Sequence, residues 1–225
     1  MTRTTSPKPR RPAAGLPDLA LKKVPTQSRA VETYERILAT AAELLEEVGI
    51  ERLSTNLVCQ RMAISPPALY QYFPNKYAIL YELGQRLMQA QNELVAPWAT
   101  TATITLPEAE FAHSVAQQFL QVVRVTEAFP GGIWVTRALR AVPSLQQVRT
   151  RSHDQVSDFL TSVFLSTFPE ADSANARLCF RLYVETHYAA LELLFDDPSQ
   201  SANAVATALA EMLTAHFVRM RSCPR

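Results

Sequence analysis

Apolar side chains at Tyr34, Ile37, Leu38, Ala41, Leu44, Leu45 and Val48 follow one another at spacings of three, four and one. That spacing places them on one stripe of a 3.6-residue helix. Glu35, Glu43, Glu46 and Glu47 lie on or near its other side, and Gly49 stands where a left-handed C-terminal cap favours glycine. Beyond Gly49 the pattern shortens. Ser54 or Thr55 can cap a helix running to about Met62, and Ala63 and Ile64 make a turn. Ser65 can cap a second short helix over residues 66–72. Its first position is Pro66, where a missing N–H costs nothing, and Pro67 still lies in the first turn. Two short helices joined by about three residues have the shape of a helix-turn-helix. Leu57, Val58, Ile64, Leu69 and Phe73 would form its small core.

The rest of the chain carries the helical period without strand alternation. A helix continues after Lys76 through Leu80, Leu83, Leu87 and Met88 to about Leu94, and Pro97 stops it. Pro107, Pro130, Pro143, Pro169 and Pro198 then divide the chain into helix-length pieces, roughly 106–128, 132–141, 144–167, 172–195 and 200–220. The last two have broad apolar faces: Leu178, Leu182, Tyr183, Tyr188, Leu191, Leu194 and Phe195 on one, Val205, Ala208, Leu209, Met212, Leu213 and Phe217 on the other. The fold expected is all-α.

Composition sharpens this picture. Five glycines and 48% hydrophobic residues in 225 suit a helical protein. The net charge of +1 argues against a nucleic-acid coat, but it is unevenly spread. Residues 1–76 hold eleven basic and seven acidic residues, a net +4, so the remainder carries −3. A basic front directs attention to nucleic acid there. Residues 1–25, with five prolines and six basic residues against one acid, read as an unfolded basic arm. It is either a solvated tail or an arm that touches phosphates or a minor groove.

Other chemistry is sparse. Cys59, Cys179 and Cys223 are odd in number and far apart, which gives neither a disulfide framework nor a zinc pattern; reduced thiols and a cytoplasmic protein are expected. No membrane span is expected. His113, His153 and His216 lack partners at metal-ligand spacing, so no metal and no cofactor are called for. Gly131-Gly132 precede no phosphate-loop lysine, and no nucleophile elbow occurs. An acid–base pair assembled only in the fold, such as Glu185 with His187, stays open as an enzyme reading.

The second short helix offers Pro67, Tyr70, Gln71 and Tyr72. Gln can read adenine bidentately, and Tyr hydroxyls can bond phosphates. Lys76, at the start of the next helix, suits a phosphate. One of the two tyrosines is equally well explained as part of the core.

Residues 33–83 resemble the DNA-binding domain of the TetR/AcrR family of bacterial transcriptional regulators. The resemblance rests on Arg36-Ile37-Leu38, Ala41-Ala42-Glu43-Leu44-Leu45, Val48-Gly49-Ile50, Leu53-Ser54-Thr55 and above all the run from Ile64-Ser65-Pro66-Pro67-Ala68-Leu69-Tyr70 to Gln71-Tyr72-Phe73-Pro74-Asn75-Lys76. It implies a three-helix DNA-binding head over 26–76 and a helical-bundle domain over 77–225 that binds an effector and dimerises. Its DNA-contacting positions fall on Thr55, Asn56, Ser65, Pro66, Pro67, Tyr70, Gln71, Tyr72 and Lys76. Two departures stand out. Ala63 occupies a turn position usually held by glycine, which implies a strained positive φ. The paired prolines take up positions where base-contacting groups are frequent.

The resemblance further implies a homodimer through the last two helices, about 172–195 and 200–220, although an intramolecular core would produce the same apolar faces. Dimerisation would set two recognition helices about 34 Å apart on a double-stranded operator. A largely apolar small-molecule effector is implied as well, with Phe111, Phe119, Trp134, Arg137, Phe164, Tyr183 and His187 as candidate contacts. The function expected is a ligand-responsive regulator, a repressor released from a palindromic operator, and not an enzyme. A helical protein-interaction module without DNA binding is the competing reading.

Overall fold

A computed structural model describes Leu19 and residues 27–222. The arm expected over 1–25 and Cys223 fall outside the described residues, apart from Leu19, which packs against the core of the amino-terminal head. All regular structure among the described residues is helical: α1 Ser28–Arg52, α2 Thr55–Met62, α3 Pro66–Tyr70, α4 Lys76–Asn92, α5 Val95–Trp98, α6 Thr101–Ile104, α7 Glu108–Ala128, α8 Gly132–Ala141, α9 Gln146–Thr167, α10 Ser173–Asp196 and α11 Ala202–Ser222. A 3-10 turn, Pro143–Leu145, precedes α9.

The local chemistry of the head follows its sequence closely. Gly49 interrupts α1 with φ 74° and ψ 175°, a conformation that a side chain would strain. Ser54 Oγ accepts from Leu57 N–H at 3.2 Å and starts α2. Ala63 ends that helix at φ 53°, ψ 40°, left-handed as expected. Ser65 departs from expectation: its side chain makes no capping bond. Pro66 and Pro67 remove two donors, and Ala68 N–H already binds the Ser65 carbonyl at 3.0 Å. α3 is correspondingly short, and residues 71–72 form a turn. Asn75 Oδ1 accepts from Ala78 N–H at 3.0 Å and opens α4.

The core of the head does not stop at Lys76. Ile37, Leu44, Leu45, Val58, Leu69 and Phe73 pack with Ile79, Leu80, Leu83 and Leu87 of α4 and with Val135 and Leu139 of α8. Gly84 lets α4 and α8 approach: a Cβ there would lie 2.5 Å from Leu139 Cδ2. Leu57 and Ile64 sit at the edge of this cluster, half-buried.

In the body, α7 lies along α11 and α9 along α10. Its core is aromatic: Phe111, Phe164, Phe180 and Phe217 pack together, with the Phe111 and Phe217 centroids 4.2 Å apart. The five proline-bounded pieces match α7 to α11 to within a few residues. The stretch between α4 and α7 differs from expectation. Pro97 does not stop a helix but lies inside α5, in its first turn, where its absent N–H has no partner to lose.

Candidate nucleic-acid interface and cavity

Of the head residues singled out by sequence, Asn56, Ser65, Pro66, Pro67, Tyr70 and Gln71 are exposed and Thr55 is half-buried. They belong to the start of α2, the turn and α3, which the core holds in place through Val58, Leu69 and Phe73. The Tyr70 hydroxyl lies 3.1 Å from Thr55 Oγ1 and ties α3 to the start of α2.

Tyr72 and Lys76 stand differently. Tyr72 turns inward, edge-on to Tyr34 at 6.1 Å, so it is the tyrosine that serves the core. The Lys76 ammonium donates to the carbonyls of Ile50 and Leu53, both at 3.0 Å, and of Glu51 at 3.4 Å. Three donors meet three acceptors, so Lys76 fastens the end of α1 rather than facing outward for a phosphate. Arg29, Arg36 and Arg52 are exposed and have no ion-pair partner among the described residues. Arg61 is paired bidentately with Glu47 at 2.7 and 2.8 Å.

The body contains a cavity of about 40 Å³ walled by α4, α5, α7, α9 and α10. Two of the expected effector contacts, Tyr183 and His187, line it. The others do not. Phe111 and Phe164 belong to the aromatic core, and Phe119 is buried behind His187, edge-on at 5.3 Å. Trp134 packs over Gly49 at the junction of head and body. Arg137 lies 4.9 Å above its ring and donates to the Phe195 carbonyl and to Asp196. All five are aromatic or amphipathic side chains, and that trait alone does not separate a pocket wall from a core.

Sequence reasoning missed Gln91, Asn92, Trp98, Gln118, Ser152, His153 and Tyr188, all of which line the cavity. A signal existed. Gln91 continues the buried stripe Leu80, Leu83, Leu87 one turn further, and Gln118 stands between Val115 and Val122, so each is a polar residue at a core position.

The polar wall is partly networked. Tyr188 O–H donates to Gln91 Oε1 at 2.5 Å, Gln91 Nε2 donates to Thr126 Oγ1 at 2.7 Å, and Ser152 Oγ donates to Asn92 Oδ1 at 3.0 Å. The carboxylate partner proposed for His187 goes elsewhere. Glu185 accepts from His153 Nδ1 at 3.0 Å and from Arg181 and Arg149, whereas His187 Nε2 meets Gln118 Oε1 at 2.9 Å. Two residues apart on one helix, Glu185 and His187 point to different sides. Burial depresses His187 from its ordinary value to about 4, so its imidazole is neutral at physiological pH. Burial lowers His153 too, and outweighs the opposing pull of Glu185. Burial alone would raise the Glu185 carboxyl, but His153, Arg181 and Arg149 together hold it below its usual range. The Tyr183 phenol is pushed up by burial.

No group of three or more His, Cys, Asp and Glu side chains sits together as a metal site among the described residues. None of the described helices is long and apolar enough to cross a membrane.

The description "Bacterial regulatory proteins, tetR family" matches residues 37–83, the span from mid-α1 to mid-α4. Over that span the head is similar to the DNA-binding domain of TetR-family regulators. Within that span lie α2, the turn and α3. A tetracycline repressor protein of class C from Escherichia coli is 41% identical over 54 residues, 24% of this chain and 25% of that protein. The chain thus spans about a quarter of the length of that relative. The A-factor receptor protein of Streptomyces griseus is 25% identical over 171 residues, 68% of this chain and 60% of that protein. The fold extends further than the sequence likeness. The structure of Salmonella enterica GusR superposes with a TM-score of 0.59 at 21% identity, covering 86% of this chain and 97% of that one.

Proposed function

We propose that this chain is a ligand-responsive, DNA-binding transcriptional regulator, a homodimeric repressor that leaves a palindromic operator when a small molecule enters its cavity. The observation that carries this reading is the path of α4. Its first residue, Lys76, fastens the α1–α2 turn, and its last turn supplies Gln91 and Asn92 to the cavity. Seventeen residues of helix span about 25 Å, so one rigid rod joins the two places. A second connection runs through α8, where Gly131 N–H donates to Glu46 at 2.8 Å and Trp134 lies on Gly49.

In this reading residues 26–76 read DNA and 77–225 sense and dimerise. Thr55, Asn56, Ser65, Pro66, Pro67, Tyr70 and Gln71 face the operator, with Gln71 toward a base and Tyr70 toward a phosphate or base edge. The free guanidinium groups of Arg29, Arg36 and Arg52 add long-range attraction for phosphates. Lys76 fastens the α1–α2 turn, and Tyr72 anchors the end of the recognition helix against Tyr34.

The dimer face lies on α10 and α11. Leu178, Leu182 and Leu193 recur on the outer side of α10 and are 58%, 56% and 46% exposed, and Met212 on α11 is 67% exposed. Ala189, Ala204, Ala208 and Ala215 are exposed on the same helices and allow close approach. Relatives described as repressors support the direction of the response.

A ligand shifts the operator equilibrium only by its preference for one geometry over the other, and DNA then weakens the ligand by the same factor, about 1–3 kcal/mol in typical cases. The reading is tested by titrating the full chain against duplexes from its own upstream region. A palindromic duplex bound two chains at a time, with affinity falling steeply in salt, is expected. Salt-insensitive or absent binding across those duplexes contradicts it.

A further inference from the structure

Four buried polar atoms on the cavity wall have no hydrogen-bond partner among the described residues: Trp98 Nε1, Tyr183 Oη, His153 Nε2 and His187 Nδ1. Such atoms are rare in native interiors, and each leaves its desolvation cost unoffset. That four converge on one small cavity makes them a recognition pattern. Their chemistry is readable. The Trp98 indole is a donor only, and the Tyr183 hydroxyl donates or accepts. His187 Nε2–H faces the amide oxygen of Gln118, so Nδ1 presents a lone pair; His153 Nδ1–H faces the Glu185 carboxylate, so Nε2 does the same.

Charge is balanced around them. Glu185 is matched by Arg149 and Arg181, Arg181 also pairs with Asp154, and none of these four lines the cavity. An ionised ligand would enter with no opposite charge to meet it.

Resting on the regulator reading of the cavity, we infer that the effector is an uncharged, mostly apolar molecule carrying at least one hydrogen-bond acceptor and one hydroxyl or N–H donor. Its acceptor is received by Trp98 and Tyr183, and its donor by His153 and His187. The cavity of about 40 Å³ is close to water-sized. Binding therefore enlarges it, and the four-residue α5 carrying Trp98, between α4 and α6, is the wall segment with the least helical backbone to hold it.

Calorimetry on the full chain at neutral pH with three probes of similar shape tests this. They are 4-hydroxyacetophenone (neutral, donor and acceptor), 4-hydroxybenzoate (anionic) and 4-ethyltoluene (apolar). The first is expected to bind one per chain at or below about 1 mM, and the others about tenfold more weakly or worse. Tyr183→Phe, which removes one oxygen from an unchanged ring, should weaken the first probe about fivefold while the chain still melts cooperatively, and Trp98→Phe should do likewise. Equal or tighter binding of the anion or the apolar probe, no binding of any probe at that concentration, or an unchanged affinity in both variants overturns the inference. Operator titration separates the two ideas. Duplex binding with failed probe selectivity leaves the regulator reading standing, and selective probe binding without duplex binding leaves the cavity inference standing.

Discussion

The head surface and the cavity both hold polar groups without partners, but at opposite cost. Asn56, Gln71, Arg29, Arg36 and Arg52 are exposed, and water satisfies them. Trp98, Tyr183, His153 and His187 leave atoms buried and unpaired, at roughly 1–3 kcal/mol apiece. The first surface is free to adopt a partner without rearrangement. The second gives up stability that a bound molecule would restore. Under the proposed function the difference follows from where each partner binds: the operator meets an exterior and the effector an interior.

Breaking the head altogether gives the largest effect. Phe73 is fully buried and stacks with Tyr34 at 4.9 Å. Phe73→Ala is expected to lose about 3–5 kcal/mol in denaturant unfolding and to abolish duplex binding. Acid sharpens the cavity side. His187 falls to about 4 in the fold from near 6.5 unfolded, so the unfolded chain binds the extra proton between those values. Its contribution is therefore present above pH 6.5 and lost as the pH falls toward 4, by about 3 kcal/mol in all. His187→Gln should flatten that part of the stability–pH profile relative to the natural chain.

Gln71→Ala probes the exposed surface alone. Operator affinity should fall by about 1–3 kcal/mol, while thermal stability stays within about 0.5 kcal/mol. The smallest effect is the most particular to the comparison. Tyr183→Phe removes a buried hydroxyl that has no partner, so it should leave unfolding free energy unchanged or raise it by up to about 1 kcal/mol. The same deletion at Tyr188, whose hydroxyl donates to Gln91, should lower it by a similar amount.

The two regions also differ in how far the sequence disclosed them. The head is built from local rules: a glycine break, a serine cap, a left-handed Ala63, prolines at a helix start. Each is visible within a few residues, so its helices and most of its exposed face were legible. The intramolecular roles of Lys76 and Tyr72 are not visible locally, because their partners lie 23 and 38 residues away, at Leu53 and Tyr34. The cavity is assembled from five helices, and only Tyr183 and His187 were found. Which apolar positions close a core and which border a cavity depends on contacts between α4, α7, α9 and α10 that no single helix encodes. The readable sign was a polar residue on an apolar stripe, as at Gln91, rather than an aromatic on one.

The central claim is that this chain reads a palindromic operator through an exposed, pre-formed recognition helix. Fluorescence anisotropy of the full chain on duplexes tiling its own upstream region, at 50 and 200 mM salt, tests it most directly. The account predicts one palindromic duplex bound by two chains, with affinity falling at least about a hundredfold between the two salts. Equal binding to every duplex, or affinity that does not change with salt, would contradict it.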